Sequence, residues 1–279
     1  MHRMVVLSWW DGAEQSWCWE VHRVEDVPCN LCDTKDEELR FEKDGCRIVR
    51  CRKCGLVYVN PRPADDELRL LYTEDHPCYN RRPEDAVRRC RNYVRRIERL
   101  APPGDLLDVG CGSGEFLLAA KERRWRGTGL DVSEYATRYA REHYGLSVRT
   151  GHVCDLDLTP ESFDVITLWA TIEHLQDPLG DLRLLATLLR PRGLIAVETG
   201  NIGGLRPRLE GARWPLLSPP EHLYFFSRRT LGTMFAECGL RVVRVDTTGR
   251  ILPFSTPILK QIGGKLGWGD LMYVYALKS

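Results

Sequence analysis

Two stretches of this 279-residue chain carry residue types at spacings that chemistry can use. The first is Cys29-Asn30-Leu31-Cys32 followed, after 18 residues, by Cys51-Arg52-Lys53-Cys54-Gly55. Two such knuckles place four thiolates around a tetrahedral ion, and zinc is the usual occupant. With four protein ligands no coordination position is left open, so Cys29, Cys32, Cys51 and Cys54 are expected to hold a structural zinc rather than a catalytic one. The second stretch is Leu106-Leu107-Asp108-Val109-Gly110-Cys111-Gly112-Ser113-Gly114-Glu115-Phe116-Leu117. Its glycines permit positive φ angles and let a ligand approach the backbone. A dinucleotide fingerprint spaces them G-x-G-x-x-G, whereas here they fall G-x-G-x-G. Asp108 and Glu115 flank the turn and would repel a pyrophosphate. S-adenosylmethionine carries an ammonium and a sulfonium, and it suits an acidic lip.

Asp108, Gly110, Cys111, Gly112 and Gly114 are therefore expected to hold S-adenosylmethionine. Asp131 ends Gly127-Thr128-Gly129-Leu130-Asp131, about 20 residues past the glycines, where an acidic side chain can bind both ribose hydroxyls. The alternative for Asp131 is a helix N-cap ahead of Ser133-Glu134, and the two roles can coexist. Val132 adjoins it.

These residues need a scaffold, and the pattern after Gly104 supplies one. Apolar runs at 105–109, 127–131, 163–168 and 193–198 read as buried parallel strands. Stretches 114–124, 133–144 and 178–190 read as crossover helices, so the chain builds a doubly wound α/β sheet. Ser227 caps a further helix that Gly239 stops. Strands at 240–247 and 272–277 follow, with no evident crossover helix between them, and are expected to pair antiparallel. Upstream, Val87, Cys90, Val94 and Ile97 mark the buried stripe of an arginine-rich helix.

The expected organisation is an extension over 1–26 with Trp9, Trp10, Trp17 and Trp19, and a zinc ribbon over 27–62. A helical cap over 63–103 and the cofactor-binding domain over 104–279 follow, the latter with a substrate insert at about 200–226. Lys and Arg number 40 against 39 Asp and Glu, a balance that argues against wholesale wrapping of nucleic acid. No apolar stretch is long enough for a membrane span and the N-terminus lacks a signal-peptide core, so a cytoplasmic enzyme is expected. In that compartment the remaining cysteines, among them Cys18, Cys46, Cys78, Cys90, Cys154 and Cys238, are expected to be small buried or half-buried apolar residues.

The phrases D-V-G-C-G-S-G-E-F, G-L-D-V-S and F-D-V-I-T-L-W-A-T-I-E-H-L-Q-D-P resemble the class I S-adenosylmethionine-dependent methyltransferases, nearest the quinone and small-molecule branch, over about 104–200. The resemblance implies a Rossmann-like seven-stranded sheet with an antiparallel last strand. It also implies an adenine contact after the third strand, where Val153 supplies backbone and either His152 or Asp155 the side chain. His152 stands where the family usually shows Asp. Trp169 and Ala170 are expected to line the cofactor cleft.

Removing a proton from an acceptor suits histidine near neutral pH. His174 follows the fourth strand at the carboxyl end of the sheet. It is either the base or a structural residue bonded to a neighbouring loop. His222 lies in Glu221-His222-Leu223-Tyr224-Phe225-Phe226-Ser227, which resembles the substrate-side segment of zinc-ribbon methyltransferases, including deoxysugar C-methyltransferases, and the resemblance implies a base there. Trp214, Glu221 and Tyr224 are candidate substrate-wall residues. The expected activity is methyl transfer to an O or C atom of a small molecule such as a sugar, quinone or polyketide-like metabolite. The alternatives are an RNA methyltransferase gripping its substrate with the ribbon, and a non-catalytic ligand-binding protein.

Overall fold

A computed structural model describes residues 4–8, 17–21, 23–69, 83–249, 263 and 266–279. Trp9, Trp10, Cys78 and most of the Gly- and Pro-rich stretch before the last strand lie outside them. The backbones of β1 (Met4–Ser8) and β2 (Trp17–Val21) pair antiparallel, although the tryptophan-rich sequence there shows no strand period. β3 (Val24–Glu25) leads into the ribbon strands β4 (Glu37–Lys43), β5 (Cys46–Cys51) and β6 (Val57–Val59), and β7 (Arg62–Pro63) pairs back onto β3. Two helices follow, α1 (Asp65–Arg69) and α2 (Pro83–Ile97). Acids open α2 and arginines close it, in the sense that complements the helix dipole. Val87, Val94 and Ile97 form its buried stripe.

The alternating part runs β8 (Asp105–Val109), α3 (Glu115–Lys121), β9 (Arg126–Asp131), α4 (Glu134–Tyr144), β10 (Ser147–Thr150), β11 (Phe163–Trp169), α5 (Pro178–Leu188) and β12 (Leu189–Gly200). It closes with α6 (Leu205–Glu210), β13 (Tyr224–Phe225), α7 (Arg228–Glu237), β14 (Leu240–Thr248) and β15 (Leu271–Lys278). Seven strands form one sheet in the order β10-β9-β8-β11-β12-β15-β14, with β15 antiparallel to both neighbours. This is the Rossmann-like sheet the sequence leads one to expect. Val165, Ile166, Leu168, Ile195 and Val197 are fully covered, since helices lie over both faces. Strand order reverses between β8 and β11, and in open α/β sheets ligands bind at the carboxyl ends beside such a switch.

The ribbon is not a separate ball on a tether. β13, from the insert, pairs with β6 to complete a four-stranded sheet ordered β13-β6-β5-β4. One continuous core joins Cys29, Val49, Leu56 and Tyr58 of the ribbon to Leu107, Ile166 and Leu168 of the large sheet. Trp214, a candidate substrate-wall residue, is instead buried beside Cys46, Ile48 and Val57 in a core between ribbon and insert. A large apolar ring there gains more from packing than it would from a solvated cleft. Of the scattered cysteines, Cys46 and Cys111 are buried and Cys90 and Cys238 half-buried, but Cys154 is exposed on a 3-10 turn over Val153–Asp155 that buries Val153 instead. No helix among the described residues is long and apolar enough to cross a membrane.

Candidate active site and metal centre

The glycine loop leaves β8 in left-handed turns: φ is +72° at Gly110, +52° at Gly112 and +89° at Gly114. Only at Gly112 would a Cβ meet open space; at Gly110 it would strike the Thr171 side chain, and at Gly114 Leu146. The loop is pinned to the neighbouring strand, because the amides of Gly110 and Cys111 both donate to Leu130 O at 2.8 and 2.9 Å. Asp131 completes the pinning. Its Oδ2 accepts from Gly112 N at 2.8 Å and its Oδ1 from Ser133 N at 2.9 Å. The N-cap of α4 is Ser133, whose hydroxyl accepts from Ala136 N, so Asp131 is free of the capping role. Val132 lies half-exposed in the turn between them.

Asp108 is buried at the end of β8 and accepts from Thr167 Oγ1 at 2.6 Å. Burial pushes its carboxyl up to about 8; the Thr167 bond pulls the other way, and Asp131 and Glu115 add like-charge repulsion. Burial likewise raises the carboxyl of Asp131, against which the Ser133 and Gly112 amides and His152 act. Three acidic groups thus crowd one loop, and a cation relieves what an anion would worsen. His152 faces Asp131 and keeps a buried Nε2 without a partner among the described residues, whereas Asp155 is exposed and its Oδ1 accepts from Cys154 Sγ at 3.7 Å. Val153 is buried between them. Trp169 has a buried, unpartnered Nε1, and Ala170 takes a positive φ of 51° at the strand end. Orphaned buried nitrogens beside an acidic glycine loop are what a nucleoside-bearing cation would satisfy, so S-adenosylmethionine fits these residues.

Sequence reasoning did not identify the roof of this cleft. Tyr93 of α2 stacks on Trp169 with ring centroids 4.7 Å apart, and Phe116 meets the same indole edge-on at 5.4 Å. Glu198, at the carboxyl end of β12, lies under Tyr93. Burial pushes its carboxyl up to about 7, with the Tyr93 hydrogen bond opposing. An aromatic on a helix full of arginines gives no periodic signal of this kind.

The two histidines lie side by side, although they are 48 residues apart in the chain. Their ring centroids are 4.7 Å apart and the planes nearly perpendicular, at 88°. His174 Nδ1 donates to Glu221 O at 2.8 Å and His222 Nδ1 to Leu216 O at 2.9 Å. A carbonyl only accepts, so both Nδ1 atoms carry protons and the basic nitrogen of each neutral ring is Nε2. Glu173 lies between the segments. Its carboxylate is buried, Oε2 has no partner, and burial raises its pKa while His222 draws it back. Glu173, His174 and His222 each place a donor atom within 4.8 Å of the others.

Cys29, Cys32, Cys51 and Cys54 form the other cluster, also within 4.8 Å. Cys29 Sγ stands 3.4 Å from Cys54 Sγ and Cys32 Sγ 3.5 Å from Cys51 Sγ. Four sulfurs at about 2.3 Å from a tetrahedral zinc stand about 3.8 Å apart, so the quartet fits that ion with a slight expansion. Burial raises Cys54 to about 11, with the Leu56 backbone bond and Cys29 opposing and Cys51 and Cys32 adding, whereas a cation would hold the thiolates ionised.

Comparison with known proteins agrees with this geometry. Residues 80–245 match the family described as methyltransferase domain. A ubiquinone biosynthesis O-methyltransferase of Nitrosospira multiformis is 31% identical over 168 residues, covering 55% of this chain and 69% of that one. One from Idiomarina loihiensis is 35% identical over 105 residues, or 34% of this chain and 42% of its own length. Among solved structures, S-adenosylmethionine-dependent methyltransferases of Archaeoglobus fulgidus and Thermotoga maritima superpose with TM-scores of 0.55 and 0.54 at 19% and 21% identity. They cover 71% and 70% of this chain, and 95% and 92% of their own. The chain belongs to the methyltransferase domain family, as a class I S-adenosylmethionine-dependent methyltransferase.

Proposed function

We propose that this chain methylates an oxygen or carbon of a small-molecule acceptor such as a sugar, quinone or polyketide-like metabolite. In this reading His222 takes the acceptor proton and a zinc in the Cys29, Cys32, Cys51 and Cys54 quartet holds the ribbon. When bound, S-adenosylmethionine supplies an electrophilic methyl on sulfur. Asp108, Gly110, Cys111, Gly112, Gly114, Asp131 and Val132 hold it on the loop side. His152, Val153, Trp169 and Ala170 hold its nucleoside, and the exposed Asp155 is the weaker candidate for that contact. The enzyme's remaining task is to orient the nucleophile, remove its proton and keep water out.

The observation that carries the acceptor side is the His174–His222 pair with its buried carboxylate. Each Nδ1–H is committed to a backbone carbonyl, which fixes the ring and leaves Nε2 of His222 as the base. A proton accepted there makes an imidazolium, and the Glu173 carboxylate nearby offsets its charge. His174 orients its neighbour and holds the Glu221 carbonyl. The chemistry of the relatives named above, O-methylation in ubiquinone biosynthesis, favours an acceptor hydroxyl. Ribbon arginines bear against nucleic acid as the acceptor, since Arg50 pairs with Glu38 at 3.7 Å and Arg52 with Asp36 at 3.2 Å.

The test is a methyl-donor assay over sugar, quinol and phenol pools, run with the wild type and His222→Ala. His222→Ala should lose turnover while its affinity for S-adenosylhomocysteine stays within about twofold. Unchanged kcat in that variant removes His222 from the mechanism.

A further inference from the structure

Each cysteine knuckle of the ribbon is wired to one of the two histidine segments. Asn30 sits between Cys29 and Cys32. Its Oδ1 accepts from Leu179 N at 3.0 Å and its Nδ2 donates to Asp177 Oδ1 at 2.7 Å. Asp177 is the N-cap of α5 and accepts from Gly180 N at 2.9 Å, so the knuckle supplies a second cap to the same helix from outside it. The stretch from Thr171 to Asp177 that carries His174 is thereby anchored at its far end.

The second knuckle leads elsewhere. Cys51 N donates to Leu56 O at 2.9 Å, which closes the Cys51–Cys54 turn onto the start of β6. Val59 N then donates to Leu223 O at 2.9 Å, and Tyr58 and Val57 stand opposite Tyr224 and Phe225 in the β6–β13 pair. His222 is the residue next to Leu223. Where the chain leaves the ribbon, Arg62 Nη1 donates to Gln176 O at 2.7 Å and to Tyr224 Oη at 3.0 Å, and Tyr224 Oη donates to Gln176 O at 2.9 Å. The two histidine segments also hold each other. Glu173 O accepts from Leu223 N at 2.8 Å and Tyr224 N at 3.2 Å, beside the His174–Glu221 bond.

None of these contacts involves the glycine loop. We infer that the ribbon is a positioning frame for the acceptor side of the site: tying its two knuckles together fixes the separation of His174 and His222. In that frame Asn30 is the positioning residue that acts on His174 through Asp177 and Leu179. The inference rests on the reading above that the quartet holds zinc and that the histidines serve the acceptor. It goes further in that the ribbon, through Asn30 and the β6–β13 pairing, bears on proton removal and not on cofactor binding.

The experiment uses the full-length zinc-loaded chain, with Asn30→Ala and the milder Tyr224→Phe as variants. Bound zinc per chain, S-adenosylhomocysteine affinity and the histidine ring resonances in the complex are measured beside kcat. Displacement of a reacting group by about 1 Å costs up to ~100-fold in rate, so Asn30→Ala should lose about 10- to 100-fold in kcat. Zinc content should stay at the wild-type level and S-adenosylhomocysteine affinity within about twofold, with the His174 resonances displaced. Tyr224→Phe should displace both rings. Chelating the zinc from the wild type should shift both sets of resonances while S-adenosylhomocysteine still binds. Unmoved histidine resonances in Asn30→Ala with zinc retained, or in the chelated wild type, overturn the frame. The two ideas fail differently: if His222 is not the base, His222→Ala keeps its turnover while Asn30→Ala still moves the His174 resonances.

Discussion

Asp108 allows a quantitative forecast of how pH governs cofactor binding. Its carboxyl is buried at the mouth of the glycine loop and titrates at about 8, because burial outweighs the Thr167 hydrogen bond and Asp131 and Glu115 add repulsion. The ligand-free protein therefore holds this proton at neutral pH. A cationic ligand favours the ionised form and expels it. Below about 8 the site must be deprotonated before the cation is fully compensated, so affinity rises with pH and levels off above that value. Each pH unit below the plateau costs about 1.4 kcal/mol, or a factor of ten. Between pH 6 and 7.5 the Kd for S-adenosylmethionine should tighten by about 25-fold, because the slope already flattens near the pKa of about 8. Calorimetry at pH 7 in buffers of different ionisation enthalpy should register close to one proton released per site. Asp108→Asn cannot ionise and should flatten the profile. Asp131, whose carboxyl burial also raises, remains in that variant, so any residual slope reports on it. A flat wild-type profile, or the same slope in Asp108→Asn, refutes the reasoning.

Two further substitutions probe the loop. Gly110→Ala places a methyl against the stiff, buried Thr171 side chain at a φ of +72°, which adds left-handed strain of ~1–2 kcal/mol to overpacking of ~1–3 kcal/mol. Thermal unfolding should show a loss of about 2–5 kcal/mol, and a variant as stable as the wild type would contradict the packing described here. Asp131→Ala removes the acceptor for two loop amides and the expected ribose ligand. Charge-assisted bonds of ~1.5–3 kcal/mol apiece imply that the S-adenosylhomocysteine Kd weakens by about 100-fold or more, measured by titration calorimetry. A change below tenfold would remove Asp131 from the cofactor site.

The cofactor half of this enzyme is legible in one dimension because its parts are contiguous. Strand β8, the glycine turn, α3 and β9 follow one another within 27 residues, from Asp105 to Asp131, so the residues expected on the loop side of the cofactor sit at junctions that sequence chemistry marks. The cysteine quartet is legible for the same reason, since metal ligands must recur at short fixed intervals. The rest depends on contacts between distant segments. β4 reads Glu-Glu-Leu-Arg-Phe-Glu-Lys and is mostly exposed, so it lacks the alternation that betrays a half-buried strand. β13 is two residues long and exists only because β6 is there to pair with it. Tyr93 gives no sign in the sequence that it will cover Trp169. His174 and His222 can be nominated one by one, as alternatives, but nothing in the chain order shows that they adjoin.

That division has a physical basis and a consequence. S-adenosylmethionine presents one set of groups, so one local design on the large sheet suffices to bind it. An acceptor must be bound by whatever shape the attached pieces create. In the function proposed above those pieces are the ribbon, the insert and the loop after β11, which β6–β13 pairing, Asn30, Arg62 and Tyr224 stitch together. Changes in the ribbon should thus alter kcat and acceptor choice while cofactor affinity holds, and changes in the glycine loop should do the reverse. The near-separation of these two networks makes that contrast testable within a single protein: Asn30→Ala and Asp131→Ala should fail in opposite assays.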